Sequence, residues 1–350
     1  MTGPRRSARL ADPYNAGTPL DVLGRCYITP VEAFYVRSHG AVPRLNTDDH
    51  RLTADGLALR PESFALGDLL AALRRHDLVA TLHCAGNRRA ELSRVRPTAS
   101  PLQWGPDAVG TAHWSGVRLA DLLQRVGIHE DARHVAFEGA DEARTESGPT
   151  PFGSSIPLER ALAGDVLLAD RMNDEPLTAQ HGAPLRVVVP GYIGARSVKW
   201  LNRVTLLEHA SDNWFQARDY RRGGQALAEL ELNSAITQPV EGAMLRAGPV
   251  VVRGYALAGS GQQLSRVELS SDGGATWLPA PLQVGQGADP WAWRLWRATL
   301  DLVAGEHELV VRAWDERGAT QPADVAAIWN ESGYMNSAWH RVRVRIRGIR

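Results

Sequence analysis

The chain has 350 residues with 39 basic and 39 acidic side chains, a net charge of zero that gives no bulk attraction to nucleic acid or to a membrane surface. Hydrophobic residues make up 44% and charged residues 22%, an ordinary globular composition that excludes disordered and fibrous classes and suggests two or three cores. Two cysteines, Cys26 and Cys84, allow neither a disulfide framework nor a cysteine-rich zinc or iron–sulfur site within one chain.

At the N-terminus, MTGPRRSARLADPYNAG carries Arg5 and Arg6 with no apolar run behind them, and no stretch approaches the roughly 18 apolar residues of a membrane helix. The expectation is a cytoplasmic protein without export or membrane association. Residues 62–76 (ESFALGDLLAALRRH) put Leu66, Leu69, Leu70 and Leu73 on one face, with Ser63 placed to cap, and predict an amphipathic helix. Residues 78–84 (LVATLHC) predict a buried strand, and residues 116–127 (GVRLADLLQRVG) a second helix that buries Leu119, Leu122, Leu123 and Val126 and stops at Gly127. Further buried strands are expected at residues 135–137 and 185–189 (LRVVV).

After about Leu232 the texture changes to short alternating segments separated by glycine-containing turns, the pattern of an immunoglobulin-like sandwich without its paired cysteines. The fold class expected is therefore α+β, with a mixed α/β domain over residues 1–232 and an all-β immunoglobulin-like sandwich over residues 233–350. In the last segment Arg341, Arg343, Arg345 and Arg347 alternate with Val342, Val344 and Ile346. Period-two alternation puts these arginines on one solvated face, where charge also discourages edge pairing, so nucleic acid is not an expected partner.

The most unusual local sequence is residues 83–89 (HCAGNRR), directly after the expected strand. It sets Cys84 in a turn beside Arg88 and Arg89, whose guanidinium groups favour the thiolate that binds a metal or attacks an electrophile. Three other clusters mix glycine with basic side chains: residues 34–40 (FYVRSHG), 180–186 (QHGAPLR) and 191–200 (GYIGARSVKW). Glycine lets backbone approach a ligand, and Arg, Lys and His donate to phosphate or other oxyanions. None has the spacing of a dinucleotide or P-loop motif.

In their order these segments resemble the sulfite oxidase family of molybdenum enzymes. The resemblance runs through CAGNRR, SRVRP (residues 93–97), GARSVKW (194–200), RDY (218–220), WAWRLW (291–296) and AWHRV (338–342), and so covers nearly the whole chain. It implies a molybdopterin cofactor whose dithiolene supplies two sulfur ligands, so that one protein thiolate, Cys84, suffices for the metal. It further implies that Tyr35, Val36, Arg37, Ser38, His39, Asp141, His181, Arg186, Ser197, Val198 and Lys199 cradle the molybdopterin and its phosphate. Arg37, Arg89, Trp104 and Tyr220 match the substrate pocket, in which two cations neutralise sulfite and Tyr220 manages protons.

The implied activity is oxidation of sulfite to sulfate by a homodimer. No internal haem is expected, so electrons would pass to an external acceptor such as cytochrome c or oxygen. One departure stands out: where the family carries an arginine in WNxRG, residues 329–333 read WNESG, so Ser332 replaces a cation. That leaves open a nitrate, other oxyanion or sulfoxide reductase on the same cofactor, although Tyr220 in RDY favours sulfite. Because fold alone does not establish activity, a scaffold that has lost its metal is a third alternative, against which the retention of Cys84, Arg37, Arg89 and Tyr220 argues.

Overall fold

The computed structural model describes residues 6–259, 261–283 and 289–348. Two five-stranded sheets carry the first part. In one, Arg75–His83 pairs antiparallel with Val109–Arg118, which pairs with Leu167–Met172; Glu175–Pro176 and Arg186–Val188 complete it. The other runs Glu62–Ala65, Arg51–Gly56, Leu201–Leu207, His134–Thr145, Gly148–Pro157, with only Leu201–Leu207 and Arg51–Gly56 parallel. No helix among the described residues is long and apolar enough to cross a membrane.

The helix Leu119–Val126 forms as its spacing predicts. Leu119, Leu122, Leu123 and Val126 are buried, and Gly127 ends it at φ 70°, a left-handed backbone that glycine adopts without strain. Burying each of these side chains contributes about 1.5–3 kcal/mol relative to exposure.

The helix expected over residues 62–76 is a correction, because only Leu66–Ala72 is helical. Glu62–Ala65 is a strand on Arg51–Gly56, with Leu52 opposite Phe64, and Ser63 caps nothing, its Oγ accepting from Arg51 Nε at 3.1 Å. At the other end Leu73 is extended (ψ 150°) and Arg75 already pairs with Val117. Ladder bonds to neighbouring strands override the local helical period at both ends.

The second part is the all-β sandwich of the α+β class. Asn233–Gln238, Gly248–Leu257 and Arg294–Leu302 form one sheet; Ala243–Arg246, His340–Arg347, Gly305–Asp315, Leu264–Ser270 and Leu278–Pro279 form the other. Trp296, Leu309 and Val311 fill the space between them. In His340–Arg347 the residues Val342, Val344 and Ile346 point inward, while Arg343, Arg345 and Arg347 are exposed. Arg341 and Arg343 pair with Glu308, and Arg345 with Glu306, which accounts for this stripe as a solvated, ion-paired face.

The two parts share one core: Tyr255, Trp293, Tyr334 and Met335 belong to the same apolar cluster as Leu69, Leu122 and Val204. A buried cation also ties them together. Arg88, fully buried at φ 65°, donates to Glu91 at 2.6 and 2.8 Å and crosses to Asn233 Oδ1 (3.1 Å) and Ala338 O (2.8 Å). The turn after Cys84 is thereby fastened to the sandwich.

Candidate active site

Strand Arg75–His83 delivers Cys84 to the end of its sheet, where Cys84 N–H donates to Ala108 O (3.0 Å) and its carbonyl accepts from Asn87 N–H (2.9 Å), closing the turn. Gly86 N–H donates to the Cys84 Sγ at 3.4 Å. Cys84 lines a cavity that is partly open to solvent. His83 points away from it, its Nε2 against Asn87 Nδ2 at 3.0 Å. Burial and then Arg88 hold His83 down at about 3, so it is a neutral packing residue.

Most of the expected site residues converge on this cavity. Tyr35, Val36, Arg37, Ser38 and His39 line one side as a continuous segment. Asp141 comes from the long strand His134–Thr145, His181 from the short turn Ala179–His181, and Arg186 from the strand that follows. Ser197, Lys199 and Tyr220 also line the cavity. Gly182 (φ 104°) turns the chain sharply after His181; a Cβ there would stand 2.9 Å from the Lys199 Cβ, so glycine is what lets these two cationic segments meet.

Three expected residues do not line the cavity. Val198 is buried in the apolar core and contributes its carbonyl to Val187 N–H. Trp104 is fully buried behind the cysteine turn in the same apolar cluster as Cys84, accepting on its carbonyl from Ala90 N–H. Arg89 lies beside the turn: its Nε donates to Ser332 O (3.1 Å) and Gly333 O (3.3 Å), and its Nη1 to Ser100 Oγ (3.0 Å) and Leu102 O (2.9 Å). The Trp104 indole N–H is buried without a hydrogen-bond partner.

Phe34, Leu82, Phe152, Gln180, Gly194, Ala195 and Trp200 also line the cavity without having been assigned a role from the sequence, although five of them lie in the three glycine–basic clusters. Three of them, Phe34, Gln180 and Trp200, adjoin expected residues in the chain, and adjacency is the available signal. Phe152 gave none: it lies on Gly148–Pro157, whose glycines and prolines hide the strand, and its ring stacks on His39 at 4.5 Å. Arg6 bonds two of the lining residues, Gln180 through Oε1 at 2.6 Å and Phe34 through its carbonyl at 2.7 Å.

The electrostatics are those of an anion site. Arg186 donates to His181 O (2.9 Å) and Ser197 O (3.0 Å), and Lys199 to Ser38 Oγ and Gln180 O (both 3.0 Å), all neutral acceptors. Among the described residues none of Arg37, Arg89, Arg186 and Lys199 forms an ion pair within 4 Å. Burial pushes Arg186 down to about 10, and burial with the charge of Arg186 pushes Lys199 well below the usual lysine range. Burial also holds His181 and His39 well below 6.5, reinforced by neighbouring cations, so both are neutral at pH 7. Neutral His39 and the Tyr220 hydroxyl share a hydrogen bond at 2.8 Å, and burial keeps that phenol protonated.

A molybdopterin fits these donors. Asp141 Oδ1 is buried without a hydrogen-bond partner and awaits a donor such as a pterin ring N–H, while the surplus of buried cations awaits a phosphate. Among the described residues no group of three or more His, Cys, Asp or Glu could hold a metal ion.

Comparison with known proteins agrees. Residues 39–215 match the oxidoreductase molybdopterin binding domain, and residues 224–347 the Mo-co oxidoreductase dimerisation domain. The chain is 43% identical to the sulfite oxidase of Gallus gallus over 94% of its own length and 75% of that protein's. It is 42% identical to the mitochondrial sulfite oxidase of Homo sapiens over 95% of its length, but spans only 64% of that protein. Among solved structures, the sulfane dehydrogenase SoxCD of Paracoccus pantotrophus superposes with a TM-score of 0.81 at 29% identity, covering 94% of this chain and 83% of that one. The chain belongs to the sulfite oxidase family of molybdopterin-binding oxidoreductases.

Proposed function

We propose that the protein oxidises sulfite to sulfate at a molybdenum held by Cys84, with sulfite and water giving sulfate, two protons and two electrons that leave to an external acceptor such as cytochrome c or oxygen. The observation that carries this reading is a lone thiol, Cys84, facing the same cavity as Arg37, Arg186 and Lys199, none of them paired with a carboxylate. The molybdopterin, when bound, supplies the two-electron redox centre.

The chain's own groups divide the remaining work. Arg186, Lys199, Ser38 and Ser197 hold the phosphate, His181 stands beside them, and Asp141 accepts from the ring. Arg37 from the cavity wall and Arg89 from beside the cysteine turn, both held by uncharged oxygens, draw in a small oxyanion. Tyr220, protonated and bonded to His39, donates a hydrogen bond to that oxyanion and offers a route for its proton. Trp104 and Val198 act from behind the wall. Residues 1–232 are assigned to the cofactor domain and residues 233–350 to the sandwich, and the dimerisation-domain match supports a homodimer.

The test is molybdenum-loaded protein assayed for sulfite oxidation with ferricyanide and with cytochrome c, beside nitrate reduction with a reduced viologen. Sulfite oxidation supports the reading, and turnover of nitrate alone replaces it.

A further inference from the structure

One carboxylate stands close to the two arginines of the substrate site and pairs with neither. Asp219 precedes Tyr220, and burial raises its carboxyl while Tyr334, Arg37 and Arg89 act in the other direction. Its Oδ1 accepts the Tyr334 hydroxyl proton at 2.7 Å. Tyr334 comes from the sandwich part of the chain, where Asn330 clamps its backbone with bonds to N–H (3.0 Å) and C=O (2.8 Å), and Met335 N–H reaches across to Ala85 O at 2.7 Å. The Tyr334 ring is buried, stacked on Tyr220 with centroids 5.2 Å apart and planes 16° apart, and the Arg89 Cζ lies 5.0 Å from its centroid.

A buried carboxylate that loses its hydrogen-bond donor turns to the nearest cation. Arg37 and Arg89 are the cations near Asp219, and each is otherwise held by uncharged acceptors, Arg37 through Ser38 O and Asn15 Oδ1.

We propose that Tyr334 is a positioning residue for substrate charge: by occupying Asp219 it keeps that carboxylate from neutralising Arg37 or Arg89, so that both guanidinium groups remain available to a small oxyanion. The ring serves a second purpose, bracing Tyr220 and Arg89 from the sandwich side, so the C-terminal part of the chain sets the affinity of a site built in the N-terminal part. This rests on the reading of the cavity as an oxyanion site.

The experiment uses cofactor-loaded protein, with inorganic sulfate as the probe in calorimetry and sulfite turnover measured in parallel. Tyr334→Phe keeps the ring and removes the hydroxyl; the sulfate Kd should rise about threefold to tenfold and KM for sulfite should follow, with kcat changed less than about twofold. Adding Asp219→Asn should return the Kd to within about twofold of wild type, because without a carboxylate there is nothing to restrain. A merely structural role gives no such rescue. A Tyr334→Phe Kd equal to wild type, or a double variant as weak as the single one, overturns the proposal. Should Tyr334→Phe fail to fold, Asp219→Asn alone decides: sulfate binding as tight as wild type or tighter supports it, and weaker binding overturns it. Wild-type protein that neither binds sulfate nor oxidises sulfite overturns the functional reading and this inference together, whereas wild-type binding with an unaltered variant overturns the inference alone.

Discussion

Replacing Lys199 by methionine should loosen the cofactor while leaving the cofactor-free protein at least as stable as before. Lys199 Nζ spends two of its N–H bonds on Ser38 Oγ and Gln180 O, both at 3.0 Å, which leaves the third for the bound phosphate. A hydrogen bond to a charged group contributes about 1.5–3 kcal/mol, or about 10-fold to 150-fold in affinity at 1.4 kcal/mol per decade. Without a phosphate the same ammonium is a liability, since burial and Arg186 both disfavour its charge, and methionine removes the charge at nearly constant length. The assay is molybdenum and pterin content after prolonged gel filtration, with melting curves of loaded and cofactor-free protein. Full cofactor retention by Lys199→Met refutes the reasoning, and so does a cofactor-free variant melting more than about 5 °C below wild type.

Two further predictions concern charge in the same cavity. Burial raises Asp141 to about 6, above the unfolded value of about 3.9. Its contribution to stability is therefore full below about pH 4 and lost as pH rises through about 6; cofactor-free wild type should lose stability over that interval and Asp141→Asn should not, whereas parallel melting profiles would contradict the assignment. Ser332→Arg adds a cation beside the backbone that holds Arg89 and should lower KM for sulfite, by up to about fivefold on the scale of an exposed charge pair; an unchanged KM would mean that Arg37 and Arg89 already suffice.

The parts that could be read from the sequence are those where local pattern and tertiary role coincide. Leu119–Val126 carries its own apolar stripe and its own terminating glycine, and Cys84 follows an apolar strand into a glycine turn, so both were visible without neighbours. Glu62–Ala65 was hidden because its strand character comes from Arg51–Gly56, some ten residues away, and the hairpin His134–Thr145 with Gly148–Pro157 because its glycine, proline and acidic residues mask the alternation. The cofactor residues came through a resemblance of motifs, and the cavity gathers nearly all of them. Arg89, Trp104 and Val198 show the limit of that transfer: a motif marks a segment, and only packing decides which of its side chains line the cavity. Tyr334 illustrates the converse. No pattern marks a tyrosine whose importance lies in a carboxylate 115 residues earlier in the chain.

The central claim is sulfite oxidation at a metal held by Cys84. It is tested most directly by sulfite-dependent ferricyanide reduction, with molybdenum analysis, on wild type and Cys84→Ala made in a cofactor-competent host. The account predicts turnover by wild type and a loss of at least about 100-fold in the variant. An equally active Cys84→Ala protein, or a molybdenum-loaded wild type inert to sulfite, would contradict it.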